Sequence, residues 1–594
     1  MTLEWIDGLI IIAFFALSIG IGIWVSRKGN KDSKDYFLAG GNMPWWLLGV
    51  SMVATTFSTD TPNLVTEIVR TNGVSGNWTW WAFLLTGMLT VFIYARLWKK
   101  SGVMTDIEFY ELRYSGSEAR FLRGFRAIYL GVFFNVVIMA SVTLAAIKIG
   151  GVLLGLSPVE TVLIAGVVTV IYSSLGGLKG VIFTDFVQFF LSMGGALAAA
   201  VISLNHPKVG GLSNLISDPR VIDKMAFVPD FDSPELYLSI FLVPLLVQWW
   251  NVWYPGAEPG GGGYIAQRML SAKNEENAVK SVLFFNIAHY AIRPWPWIIV
   301  AFCSMLVFPD LQSIQDAFPN VKEVKDDLAY PAMLTFLPTG VLGLVVTSLI
   351  AAYMSTISTH LNWGASYISK DFYKRFVNKQ ADERKLVAVG RISTIGLMAL
   401  SMIFALLLDS ALDSFNILLQ IGAGTGLIFI LRWFWWRVNA LSEIVAMFVS
   451  FLVAIFFNLV MTEKNGFEKL EGYQELLIGI AITTIAWLAT AYFSQPTDRK
   501  VLEDFVRKVN PGGVGWKAVT TQMDQPPVQT KTNIGYAVMG MLLSTVAIYS
   551  TMISTGLFIY GRSTQGAVIL TLAVLSGFVV SKIWHKMPWS NSES

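Results

Sequence analysis

The chain has 594 residues, of which 54% are hydrophobic and 14% charged, against roughly 45–50% and about 25% in soluble domains. Lys+Arg 43 against Asp+Glu 40 leaves +3, too small an imbalance to suggest a nucleic acid or an acidic partner. A single cysteine, Cys303, cannot close an internal disulfide, and four histidines leave little for a metal cluster, so redox and zinc chemistry are disfavoured.

A membrane-spanning helix needs about 20 mostly apolar residues, and fifteen stretches qualify: 4–26, 44–70, 76–98, 124–154, 157–175, 179–204, 235–266 (interrupted), 278–308, 331–374, 386–408, 412–436, 438–463, 472–493, 534–559 and 563–584. The expected fold class is an all-α polytopic membrane protein. The first stretch has Glu4 and Asp7 ahead of its apolar run and no basic leader, so it reads as a retained span rather than a signal peptide.

Lysine and arginine gather in alternate loops: Arg27 to Lys34, Lys99 to Arg123, Arg268 and Lys273, and Lys370 to Lys385. The intervening loops are short or acidic, as at Asp310 to Asp327. Cytoplasmic loops carry the basic excess, which predicts a multi-pass protein of the inner (cell) membrane with its amino terminus outside and its carboxyl terminus inside. A polar stretch at 494–533 falls on the cytoplasmic side. Its Leu502 to Val506 run reads as one amphipathic helix, ended by Pro511-Gly512-Gly513.

Two spans are interrupted. The second is apolar from Pro44 to Phe57, turns polar at Ser58-Thr59-Asp60-Thr61-Pro62-Asn63, then resumes at Leu64. The seventh is apolar from Ser239 to Trp253 and is broken by Pro255, Gly256, Pro259 and Gly260 to Gly263. Unpaired backbone survives at membrane depth only where it lines a cavity or ligand. Breaks at matching places, five spans apart, point to a transporter of repeated halves with a midplane binding site. The competing reading makes either break a surface loop between shorter spans.

Four segments resemble the sodium:solute symporter family, the relatives of sodium/sugar and sodium/proline cotransporters. They are Asp35 to Gly40 with Met43-Pro44-Trp45-Trp46 and Ser51 to Ala54; Tyr172 to Val181 with Thr184 to Gln188; Tyr264 to Arg268 with Ala272-Lys273; and Ala351 to Thr356 with Lys370 to Lys374. The resemblance covers residues 35–375 and fades after 440. It implies the inverted-repeat fold first seen in a leucine transporter, a 5+5 core with broken first helices in each repeat, working by alternating access. The implied organisation is an extra helix and cytoplasmic loop at 1–43, a first repeat at 44–204, an extracellular loop at 205–234 and a second repeat at 235–436. Two peripheral helices follow at 437–493, then the linker at 494–533 and two last helices with a tail at 534–594.

Sodium, a hard cation, wants several oxygens at once. Ala352, Ser355 and Thr356 stand at i, i+3 and i+4 on one helix face. Ala54 and Phe57, at the end of a half-helix, offer orphan carbonyls at its negative pole. The resemblance places its common sodium site at these five positions; the alternative is that the hydroxyls only back-bond or ease helix approach. A second sodium at Asp185, Ser358 and Thr359 is open, against a solvated or Lys179-paired Asp185 near the interface. One sodium crossing 100 mV with a tenfold gradient yields about 2.3 plus 1.4 kcal/mol, enough for about 500-fold accumulation.

Solute-contact candidates are Thr56, Asp60 and Thr61 in span two, Trp80 and Trp81 in span three, Asn251, Trp253 and Tyr254 in span seven, His289 and Arg293 in span eight and Gln420 in span eleven. His289 and Arg293 qualify as ionisable groups within an apolar stretch. Arg293 would favour an anion over a neutral sugar if it faces the cavity, and would otherwise snorkel or cap a carbonyl near Pro294. Trp80 and Trp81 read equally as packing or belt aromatics, and Glu258 as part of a cytoplasmic loop. Family sugar transporters carry a carboxamide and a carboxylate near Thr61 and Trp80, so this chain lacks two sugar contacts. The expected function is sodium-coupled import of a small polar organic solute by a single chain in lipid, without cofactor, nucleic acid or enzyme chemistry. A proton-coupled or passive carrier using Asp60, Asp185 or His289, or a transport-like sensor, are the alternatives.

Overall fold

The computed structural model describes residues 4–28, 32–232, 234–251, 258–319, 321, 324–408, 421–422, 424–461, 465–468, 470–526, 534–587 and 589. Among them regular structure is helical. Eleven helices are long and apolar enough to cross a membrane, and three shorter apolar ones are Trp45–Thr56, Pro158–Ser174 and Pro234–Leu246. Every predicted stretch but the eleventh overlaps one of these; of that stretch, residues 412–420 and 423 lie outside the described residues. The elements that build the site are α1 (Trp5–Lys28), α2 (Trp45–Thr56), α3 (Asp60–Asn72), α4 (Asn135–Leu154), α5 (Pro158–Leu204), α6 (Gly263–Ser271), α7 (Glu275–Ile287), α8 (Pro294–Val307), α9 (Val341–Ser366) and α10 (Arg499–Val509).

Span two is broken as expected. Thr55 and Thr56 turn their hydroxyls back onto the carbonyls of Ser51 (2.9 Å) and Val53 (2.9 Å), and Phe57 N–H tightens the last turn onto the Ala54 carbonyl (3.0 Å). The chain re-enters helix at Asp60, whose charge suits the positive end of α3. Pro62 sits in the first turn of α3, where its missing N–H has no intrahelical partner to lose. Proline therefore starts the second half rather than interrupting the first.

Span seven is broken too. Short helical turns run to Trp250, and α6 begins at Gly263. The Gly-rich stretch is no surface loop: residues 258–263 are buried. Gly260 and Gly261 hold φ of 88° and 85°, and a Cβ at Gly260 would lie 2.9 Å from the Tyr94 ring, so only glycine fits there. The Trp98 indole donates to the Gly260 carbonyl (2.8 Å). The Asp106 carboxylate accepts Gly263 N–H (2.7 Å), capping α6 with negative charge.

Spans five and six join within α5, at a turn where Gly177 takes φ 55° and ψ −164°. The second half of α5 packs along α9, which carries the hydroxyl-rich face. Close approach depends on Gly195, where a Cβ would sit 2.1 Å from Ser348 Oγ. From the amino-terminal helix α1, Asp7 caps α9 across space by accepting Gly340 and Gly343 N–H (2.7 and 2.8 Å). The linker helix α10 buries Leu502, Phe505, Val506 and Val509, with Phe505 against Trp433 and Trp516. Asn510 ends it in the left-handed conformation, just before Pro511.

Candidate functional site

The break in α2–α3 meets the hydroxyl face of α9. Thr356 is 3% exposed; its hydroxyl donates to the Thr55 carbonyl (2.7 Å) and to the Ala352 carbonyl (3.2 Å). Ser355, one residue earlier, donates to Asp185 Oδ1 (2.6 Å). A donating hydroxyl keeps its oxygen lone pairs free, so both side chains retain oxygen to offer a cation. Ala54, Phe57 and Ala352 are buried as well. Thr55, whose carbonyl Thr356 engages, was not singled out from the sequence. Its position in the last turn of α2 was the available signal.

Asp185 is neither solvated nor paired with Lys179. It is fully buried, accepts Ser51 Oγ on Oδ2 (2.5 Å) and lies 3.7 Å from the Arg268 guanidinium. Arg268 also donates to Thr359 Oγ1 (2.8 Å), which touches Thr55 Oγ1 (3.0 Å). Ser358 donates to the Ser355 carbonyl (3.1 Å). Asp185, Ser355, Ser51, Arg268 and Thr359 thus form one buried polar network behind Thr356.

In front of Thr356 lies a cavity of about 220 Å³. Of the sequence candidates, Thr56, Asp60, Thr61, Trp80, His289 and Arg293 line it, together with Thr55 and Thr356. Arg293 neither snorkels nor caps a carbonyl. It is buried, donates to Thr56 Oγ1 (2.9 Å), and stacks over Trp297 and Phe57 (5.1 and 5.6 Å to the ring centroids). His289 Nδ1 lies 3.1 Å from the same hydroxyl. The Trp80 ring meets His289 and Tyr290 (5.6 and 5.9 Å), whereas Trp81 is fully buried packing. Asn251 is buried but is not among the described lining residues. Trp253, Tyr254 and Gln420 lie outside the described residues.

Local helix geometry aims these groups. Pro294 and Pro296 remove two backbone donors, and the chain answers with a wide turn at Ala288–Ile292 in which Arg293 N–H reaches the Ala288 carbonyl (3.2 Å). Asn286, His289, Tyr290 and Arg293 all face the cavity. Their spacing of three, four and seven residues could have brought Asn286 and Tyr290 into the candidate set.

The two ends of the cavity are charged. At one end Glu67, Lys148 and Asp327 line it, with Lys148 and Asp327 paired at 2.6 Å; nearby Arg70 holds Asp326 at 2.6 Å. Glu67 follows Asp60 by seven residues on the same face of α3, and that spacing was readable. At the other end Glu258 lines the floor. It is 2% exposed rather than in a solvated loop, and it pairs with Arg126 and with Arg432 (3.1 Å). Arg432 also approaches Glu443 (3.6 Å), which accepts the Tyr114 hydroxyl. Sequence spacing gave no signal for this cluster, since its members come from distant spans.

Broken helices meeting between apolar spans, at a cavity whose mostly apolar lining carries a few ionisable and hydroxyl groups, are the architecture of an all-α membrane transporter. A family model described as "Sodium:solute symporter family" matches residues 36–450. The chain belongs to the sodium:solute symporter family, and as such is a sodium-coupled symporter rather than an enzyme. It is 27% identical over 478 residues to a sodium/glucose cotransporter of Vibrio parahaemolyticus, covering 76% of this chain and 85% of the relative. It is 25% identical over 519 residues to the sodium/sialic acid symporter SiaT of Proteus mirabilis, covering 84% and 97%. A substrate-bound, outward-open structure of a Na+-coupled sialic acid symporter superposes with a TM-score of 0.66 at 22% identity, covering 83% of this chain and 99% of that one. That likeness supports the leucine-transporter-like helical fold.

Proposed function

We propose that the protein imports a small polar organic solute with sodium by alternating access, the cation sitting between Ala54 and Phe57 of the broken span and Ala352, Ser355 and Thr356 of α9. The observation that carries this is Thr356, which touches the Thr55 carbonyl at the break and also lines the cavity. One side chain thus borders both ion and solute, so occupancy by either biases the same helix contact. Asp185 acts as an orienting acceptor: by accepting a hydrogen bond from the Ser355 hydroxyl it turns that oxygen's lone pairs toward the cation.

Positive-inside parity sets the Lys148–Asp327 end outside and the Glu258 cluster on the cytoplasmic side, with the amino terminus outside. The cavity then faces outward over a floor sealed by ion pairs. The repeats run from 44–204 and 235–436.

Proteoliposomes carrying an inward sodium gradient test the reading with a panel of amino acids, carboxylates, sugars and nucleosides. The expected result is solute uptake that collapses when choline replaces sodium. Uptake insensitive to that replacement, but driven by an imposed pH gradient, would assign proton coupling instead.

A further inference from the structure

We infer that the solute is a small zwitterion, an α-amino acid or a compound of the same charge layout, with its carboxylate on Arg293 and its ammonium group on Asp60. The inference rests on the cavity being the solute site. Arg293 and Asp60 have opposite charge and line one cavity. No ion pair joins them to each other or to any other described residue. Arg293 Nε and Asp60 Oδ1 are both buried without a hydrogen-bond partner.

An unpaired buried charge is costly, and in a membrane protein such a charge marks the path of a ligand. Here there are two, of opposite sign, which narrows the chemistry. A neutral sugar would leave both charges with hydrogen bonds only. A simple anion would satisfy Arg293 and add a second negative charge beside Asp60; a simple cation would do the reverse. A zwitterion pairs both and adds no net charge, so the charge moved per cycle remains that of the sodium.

The guanidinium is held in place for this role. Its stacking on Trp297 and Phe57 and its bond to Thr56 fix its plane, which suits fork-like recognition of a carboxylate. Trp80, Tyr290 and Phe285 supply an apolar wall for the carbon skeleton. The volume of about 220 Å³ falls below the roughly 300–1,000 Å³ of drug-sized pockets, which favours a compact solute.

The test is thermal unfolding of the purified full chain in detergent, in sodium or choline, with the protein amino acids, hexuronates and neutral hexoses as separate probes. At least one amino acid should stabilise the wild type in sodium and not in choline. Arg293→Gln and Asp60→Asn should each weaken that response by about 30-fold or more, the loss expected on truncating a buried charge pair. Arg293→Lys should retain part of it. Stabilisation by sodium alone should persist in all three variants, which shows that they fold.

Several results overturn the inference: a response only to hexoses, a hexuronate response that survives Asp60→Asn, an amino-acid response that survives Arg293→Gln, or no response to any zwitterion while sodium still stabilises the protein. None of these touches sodium coupling. Absence of any sodium effect on the wild type would instead defeat the coupling itself.

Discussion

Replacing Thr356 by alanine removes one oxygen from the proposed cation site while leaving the neighbouring Ser355 in place. The hydroxyl is buried and bonded to the Thr55 and Ala352 carbonyls at 2.7 and 3.2 Å. Two costs follow and they separate experimentally. Without sodium, the Thr55 carbonyl loses its partner from α9, which lowers stability by about 1–3 kcal/mol. With sodium, a contact between a charge and a neutral oxygen is lost, worth about 1.5–3 kcal/mol by analogy with hydrogen bonds to charged groups. At 1.4 kcal/mol per decade, the sodium concentration for half-maximal uptake rises by roughly 10- to 100-fold. The maximal rate at saturating sodium should stay within a few-fold, because the other four positions are intact. Thr356→Ser keeps the oxygen and should restore the wild-type midpoint. The assay is initial uptake rate against sodium concentration in proteoliposomes. Since Thr356 also lines the cavity, a variant with unchanged sodium dependence but weakened solute affinity would refute the ion-site assignment and make Thr356 a solute contact.

Glu258→Gln should loosen the cavity floor, because it leaves Arg126 and Arg432 buried with one fewer counter-charge. Breaking a buried pair costs about 3–5 kcal/mol, so the closed-floor state loses occupancy. Thiol labelling reports it: Cys303 is buried, and a cysteine placed at the buried Ala266 should label faster when combined with Glu258→Gln than on its own. Equal labelling rates would show that the cluster is not a closure. Asp7→Asn should lower thermal stability by about 1–2 kcal/mol, since a neutral amide caps the positive end of α9 less well than a carboxylate. The same melting temperature in both proteins would mean that α1 does not brace α9.

What could be read from the sequence was local. The break at Ser58 to Asn63 showed because threonines, an acid and a proline interrupt an apolar run, and the same residues end α2 and start α3 in space. The face of α9 followed from spacing of three and four residues. His289 and Arg293 stood out as ionisable groups in an apolar stretch, and both line the cavity.

The contacts that close the site were not readable, because they join residues far apart in the chain. Arg268 reaches Asp185 across 83 positions and Arg126 reaches Glu258 across 132; periodicity within one helix says nothing about either. The Gly-rich stretch was ambiguous for a related reason. Consecutive glycines suit an exposed turn as well as a buried one, and only the rings of Tyr94 and Trp98 packed against them decide between the two.

The buried network also bears on how many ions move. Asp185 and Arg268 face each other at 3.7 Å and are both fully buried, so together they add no net charge to the span interior. A cation beside Ser355 and Thr356 then meets neutral oxygens and a neutral pair behind them, and its own charge is what the membrane potential acts on. A second cation on Asp185 would compete with Ser51 and Ser355 for the carboxylate, gaining its attraction against a repulsion from Arg268 of roughly 4 kcal/mol at 4 Å for an effective dielectric of 20. Movement of Arg268 away from Asp185 would remove that repulsion, and it would also break the guanidinium's bonds to Ser51 and Thr359.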